Sequence, residues 1–174
     1  FAEVLGTGEE ESRAMVKDWR NLNPRIVDKW SEMDATIRDS LRSADRTIEL
    51  VMPTGDVLRH FMVKAEKGRF VSYTTRGDIS PTSKQENLWG GVLVENITQR
   101  MARDVLAEAV IKIEEAGIPC LWSSHDEIIM EIDDTPEAMA EAKAVADRIM
   151  TTPPEWAPGL PLAVEGDFHK TYTK

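Results

Sequence analysis

With 174 residues, 41% of them hydrophobic and 30% charged, the chain fits one globular domain large enough to bury a core. Its longest apolar runs fall far short of a membrane span, no signal segment opens it, and its single cysteine, Cys120, excludes an internal disulfide; a reducing, cytoplasmic setting is the expectation. The 31 acidic and 21 basic residues leave a net charge of −10, which argues weakly against binding nucleic acid unaided, because Lys and Arg neutralise phosphates.

The acidic residues crowd Glu9-Glu10-Glu11 and the stretch 135–147, where they can face away from a polyanion. From Glu9 to about Ser43 the apolar residues recur at helical spacing: Met15, Trp19, Leu22 and Ile26, then Trp30, Met33, Ile37 and Leu41. Pro24 should break or kink this run, since proline lacks a donor and clashes with the preceding turn. Trp19 and Trp30 read as packing residues. Asp45-Arg-Thr-Ile-Glu49 reads as a helix end or loop.

Thr47 to Met52 and Val57 to Val63 are β-prone and flank Pro53-Thr-Gly-Asp56, a turn signal. Lys67-Gly68 predicts a further turn and Arg69 to Thr75 a third strand. Gly77 to Lys84 reads as a polar loop. A long helix is then predicted from about Asn87 to Ala116. Trp89, Leu93, Ile97, Met101, Val105, Ala109 and Ile113 form its apolar row, and Asn96, Gln99 and Arg103 stack along another face.

After Gly117-Ile-Pro119, two short β-prone arms flank His125-Asp126-Glu127. In the second arm Ile128, Met130 and Ile132 alternate with Glu127, Ile129 and Glu131. The simplest geometry is a β-hairpin with His125 and Asp126 at its tip, where a carboxylate is well placed for a hard divalent cation. Cys120, in the first arm, reads as a buried thiol. Thr135 and Pro136 cap a last helix running to about Met150. A proline-rich structured loop and a terminal edge strand over 162–168 follow. Internal repeats, a Walker-type loop and zinc-ligand spacing are absent from the sequence.

The run from Trp89 to Ala109, followed by His125-Asp126-Glu127, resembles the palm of bacteriophage-type family A DNA polymerases, in which His-Asp-Glu is motif C. Asn23-Pro-Arg-Ile-Val-Asp-Lys-Trp30 looks like the helix after the fingers of that family, and Met52-Pro-Thr-Gly55 like one of its hairpins. The resemblance implies an α+β fold, a palm-type antiparallel sheet packed against long helices and lacking the part before the fingers. It divides the chain into post-fingers helices (1–45), a β-meander and loop (46–84), the long helix with the motif C hairpin (85–134), and a helix with terminal strand (135–174).

It further implies a DNA-directed DNA polymerase working by two-metal nucleotidyl transfer. Asp126 would be the catalytic, Mg²⁺-holding carboxylate and Glu127 its supporting neighbour. His125 would contact the primer terminus, and Gln99, with Asn96 and Arg103, the minor groove of the new pair. The family often has asparagine four residues before this glutamine, where this chain has Glu95, with Asn96 next to it. The partners implied are primer–template DNA, deoxynucleotide triphosphate, and the preceding part of the polymerase, which would carry the motif A aspartate and the fingers helix; no membrane is implied. Because numbering starts at Phe1, the chain reads as part of a longer polypeptide or a processed fragment, inactive alone. The residues by themselves leave two alternatives, a non-catalytic interaction module and an unrelated metal-dependent hydrolase. Against the latter, three adjacent residues in one turn cannot all converge on one metal.

Overall fold

A computed structural model describes Gly6, residues 8–74 and residues 85–172. The fold is α+β, and its elements divide into two compact units: Phe1–Val51 with Val57–Ile97, and Met52–Asp56 with Thr98–Lys174. The expected Gly77–Lys84 loop and the segment before Gly6 lie outside the described residues.

The first unit opens with helices α1 (Glu9–Leu22) and α2 (Pro24–Ser40). The break falls where proline placed it. Asn23 ends α1 by donating from both its backbone N and its side-chain Nδ2 to the Trp19 carbonyl, and Pro24 restarts the helix at a position whose N–H would have no partner. Trp19 stacks on Trp30 with centroids 5.8 Å apart, and Trp30 meets Trp89 edge-on at 5.5 Å. Asp45 lies beyond α2 in a bend, not in a helix or strand.

A four-stranded antiparallel sheet follows, in the order β1 (Ile48–Val51), β2 (Val57–Glu66), β3 (Arg69–Thr74), β4 (Gln85–Leu88). The last strand corrects the sequence reading, which ran Asn87 and Leu88 into the long helix. Leu88 pairs with Phe70 and is buried in the sheet, and the helix cannot start until Gly90. Strand β2 carries a bulge: Met62 and Val63 oppose Ser72 alone, and Met62 takes a positive φ of 54°. The extra residue lets His60 and Val63, three apart, both point inward.

Helix α3 (Gly90–Glu115) starts in this unit and continues into the second. Its first backbone N–H donates to Asp34 Oδ1 of α2 at 2.7 Å, so a side chain distant in sequence acts as its cap. At Gly90 an added Cβ would sit 1.8 Å from the Trp30 carbonyl oxygen; only glycine allows the two helices to come this close. Met33, Ile37, Ile48, Val63, Leu88 and Leu93 form the buried core of the unit.

In the second unit, the turn Met52–Asp56 closes on two backbone hydrogen bonds, Met52 N to Asp56 O and Gly55 N to Met52 O. Arg100 on α3 pairs with Asp56 and Asp104. Helix α3 ends in a Schellman motif: Gly117, at φ 88°, donates to Glu114 O, and Ile118 N to Ile113 O. The hairpin β5 (Cys120–Ser124) and β6 (Glu127–Met130) comes next, then α4 (Pro136–Thr151), capped as expected by Thr135 Oγ1 accepting from Ala138 N. Ala109, Ile113, Ala142 and Ala146 are buried here. The expected strand over 162–168 does not form: the stretch joins no ladder, and Gly166 interrupts it. Cys120 is half-buried rather than buried; desolvation, then the Glu114 carboxylate, raise its thiol pKa. Among the described residues no helix is long and apolar enough to cross a membrane.

Candidate active site

The hairpin is built by its neighbours on both sides. The Schellman turn at Gly117 reverses the chain, Pro119 forbids further helix, and Glu114 Oε1 accepts the Cys120 backbone N–H, tying the first residue of β5 to the end of α3. Pro119 O accepts from Glu131 N at 3.0 Å, so pairing runs one step past the strands. Leu121 is bulged out of register between Cys120 and Trp122, and both Leu121 and Trp122 are exposed. Ile128, Ile129 and Met130 are all half-buried, so the clean alternation read from sequence becomes a strand partly covered on both faces.

Ser124 pairs with Glu127 and leaves His125 and Asp126 as a two-residue turn. His125 has φ 56°, and a positive angle at the first central residue is what the primed hairpin turns need. Histidine is uncommon there but is enriched over bulkier residues. The structure thus brings His125, Asp126 and Glu127 to one tip, and all three are exposed.

Gln99 and Arg103 are exposed on α3, and Asn96, one turn earlier, is half-buried. Their spacing keeps the three along one side of the helix. Arg100, a neighbour of that stripe, is spent structurally on Asp56 and Asp104. Among the described residues no group of three or more His, Cys, Asp or Glu converges as a complete metal shell. The oxygen donors at this tip are the turn carboxylate of Asp126 and the adjacent one of Glu127, the ligand type that hard divalent cations take.

Sequence reasoning missed what lies against Glu127. Tyr172, 45 residues further on, donates its hydroxyl to Glu127 Oε2 at 3.1 Å, and its ring meets Trp122 edge-on with centroids 5.1 Å apart. Lys170 pairs with Asp134 at 2.9 Å, tethering the same segment. The hydrogen bond to Glu127, then desolvation and the carboxylate's charge, raise the Tyr172 phenol pKa above its ordinary value. No spacing in the sequence links these positions.

Among known proteins, the chain is 30% identical over 187 residues to the DNA polymerase of Bacillus phage SP02, a match covering 95% of this chain and 28% of that protein. The chain is related to a phage DNA polymerase. It spans a little over a quarter of that polymerase's length. No family model matches, and no solved structure matches.

Proposed function

We propose that the chain is the carboxyl-terminal palm part of a bacteriophage-type family A DNA polymerase, with the β5–β6 tip as motif C. The observation that carries this reading is the similarity to a phage DNA polymerase along almost the whole chain, supported by an exposed aspartate presented on a hairpin tip within the His125-Asp126-Glu127 triplet.

In this reading Asp126 would hold Mg²⁺ jointly with an aspartate supplied from outside the chain. The bound ions would lower the pKa of the primer 3′-hydroxyl and stabilise the leaving pyrophosphate. Glu127 keeps a second negative charge beside that position. His125, next to Asp126 in the turn, would contact the primer end. Gln99, with Asn96 and Arg103, would present donors to the minor groove, where acceptor positions are shared by all correct pairs. The exposed Met15, Trp19, Leu22 and Ile26 of α1 and the start of α2 give the preceding part of the polymerase an apolar face to cover.

The reading requires that the chain alone does not extend a primer, and that the chain together with the part carrying the motif A aspartate and fingers does so in a Mg²⁺-dependent way. Primer extension by the isolated chain would show that the second metal ligand lies within it. No extension by the assembled polypeptides, under conditions where both are folded, would overturn the polymerase reading and leave the interaction module.

A further inference from the structure

We infer that Tyr172 is a positioning residue of the hairpin site, its hydroxyl fixing the Glu127 carboxylate next to Asp126. The inference rests on reading the hairpin as the nucleotidyl-transfer site, and it assigns a task to a residue outside the motif.

The geometry is specific. Glu127 is the first residue of β6, and its backbone is fixed by pairing with Ser124. Its side chain still has three rotatable bonds and is exposed, so nothing in the strand itself selects one orientation. Tyr172 supplies that selection with one hydrogen bond at 3.1 Å to Oε2. The phenol is held by contacts independent of Glu127: the edge-on packing of its ring on Trp122, and the Lys170–Asp134 ion pair two residues earlier. A donor on a rigid ring, itself braced, is how an orienting group differs from a chance surface contact. The bond engages Oε2 and leaves Oε1 for other work.

A stabilising role accounts less well for the arrangement. Tyr172 and Glu127 are both exposed, where a single hydrogen bond competes with water and adds little to folding. Its effect is on where a charge sits. A carboxylate whose orientation is fixed before the substrate arrives contributes more to the transition state than one that must reorganise.

The test uses the full polymerase polypeptide carrying this chain. Tyr172→Phe keeps the ring on Trp122 and removes the hydroxyl; Glu127→Ala removes the acceptor; the double variant closes the cycle. In single-turnover primer extension, Tyr172→Phe should lower the maximal rate about tenfold with little change in the nucleotide concentration giving half-maximal rate. In the Glu127→Ala background it should have no further effect. A second readout does not depend on activity: the ¹⁵N-indole resonance of Trp122 should stay in place in Tyr172→Phe and move in Tyr172→Ala, showing that ring and hydroxyl have been separated. An unchanged rate in Tyr172→Phe, or equal losses in the wild-type and Glu127→Ala backgrounds, overturns the inference. An unmoved Trp122 signal in Tyr172→Ala would overturn the contact itself. If the wild type extends no primer, or Asp126→Asn extends normally, it is the underlying site reading that fails.

Discussion

The two units solve the problem of staying folded differently. In the first, large side chains do the work: Ile37, Val63 and Leu93 are entirely buried, with Met33, Ile48 and Leu88 around them. Fully burying such a side chain contributes roughly 1.5–3 kcal/mol. Among the described residues of the second unit Ile113 is completely buried and Met52 nearly so, and alanines supply much of the rest. Its elements are joined at points by polar contacts: Arg100 to Asp56, Glu114 to Cys120 N, Trp156 Nε1 to Glu108 at 3.1 Å, Lys170 to Asp134, Tyr172 to Glu127. A two-stranded hairpin is at best marginal alone. Point contacts can hold it in place while leaving its tip open, as the metal-holding role proposed for Asp126 would require.

The comparison is sharpest where chemistry and stability should separate. Asp126→Asn in the assembled polymerase should lower the single-turnover incorporation rate at least a thousandfold, about 4 kcal/mol in the barrier, with primer–template binding and thermal midpoint nearly unchanged. A rate within about tenfold of wild type would remove Asp126 from the site. Gly90→Ala should do the reverse. The new methyl group meets the Trp30 carbonyl, and destabilisation of about 3 kcal/mol is expected from overpacking a backbone contact. Denaturation followed by Trp19, Trp30 and Trp89, against Trp122 and Trp156, would show whether the loss is confined to the first unit.

Acid should act on the first unit through His60. The ring is buried, with Nδ1 3.3 Å from Ser72 Oγ and Nε2 without a hydrogen-bond partner among the described residues. Burial lowers its pKa below the usual 6.5, with Glu86 opposing. The unfolded chain therefore takes up the proton at higher pH than the folded one. Stability from the neutral ring should be fully present above 6.5 and lost as pH falls through that value toward the folded pKa. Denaturant midpoints measured across that range should slope downward, and the slope should shrink in His60→Gln; an identical slope in the variant would place the titration elsewhere. The smallest effect belongs to the second unit. Gln99→Ala should shift the ratio of matched to mismatched primer extension more than it shifts DNA affinity, because groove contacts report pair geometry while phosphate contacts set binding. An unchanged ratio would make Gln99 an ordinary helix residue.

The sequence was most legible where local chemistry alone decides structure. Pro24, the Pro53–Asp56 turn, Gly117, and the Thr135–Pro136 start each act within a few residues, and each behaves as its composition implies. The long helix and the hairpin followed from periodicity. What could not be read depended on distant partners. Strand β4 exists because β3 offers it an edge; the bulge at Met62 depends on inward packing of both His60 and Val63; Asp34 caps a helix 56 residues away. At the site, the triplet was visible as adjacent letters, whereas Tyr172 carries no local signal and required the fold to deliver it.

The left-handed backbone at His125 sets two selective pressures against each other. An L-residue other than glycine held in that conformation costs on the order of 1–2 kcal/mol, so His125→Gly should tighten the turn and raise the thermal midpoint. Glycine would also delete the imidazole that we place at the primer end. A library of position 125 sorted for heat resistance should therefore drift to glycine, and one sorted for primer extension should return histidine. Convergence of both sorts on glycine would mean that the ring is dispensable and that the turn is merely imperfect.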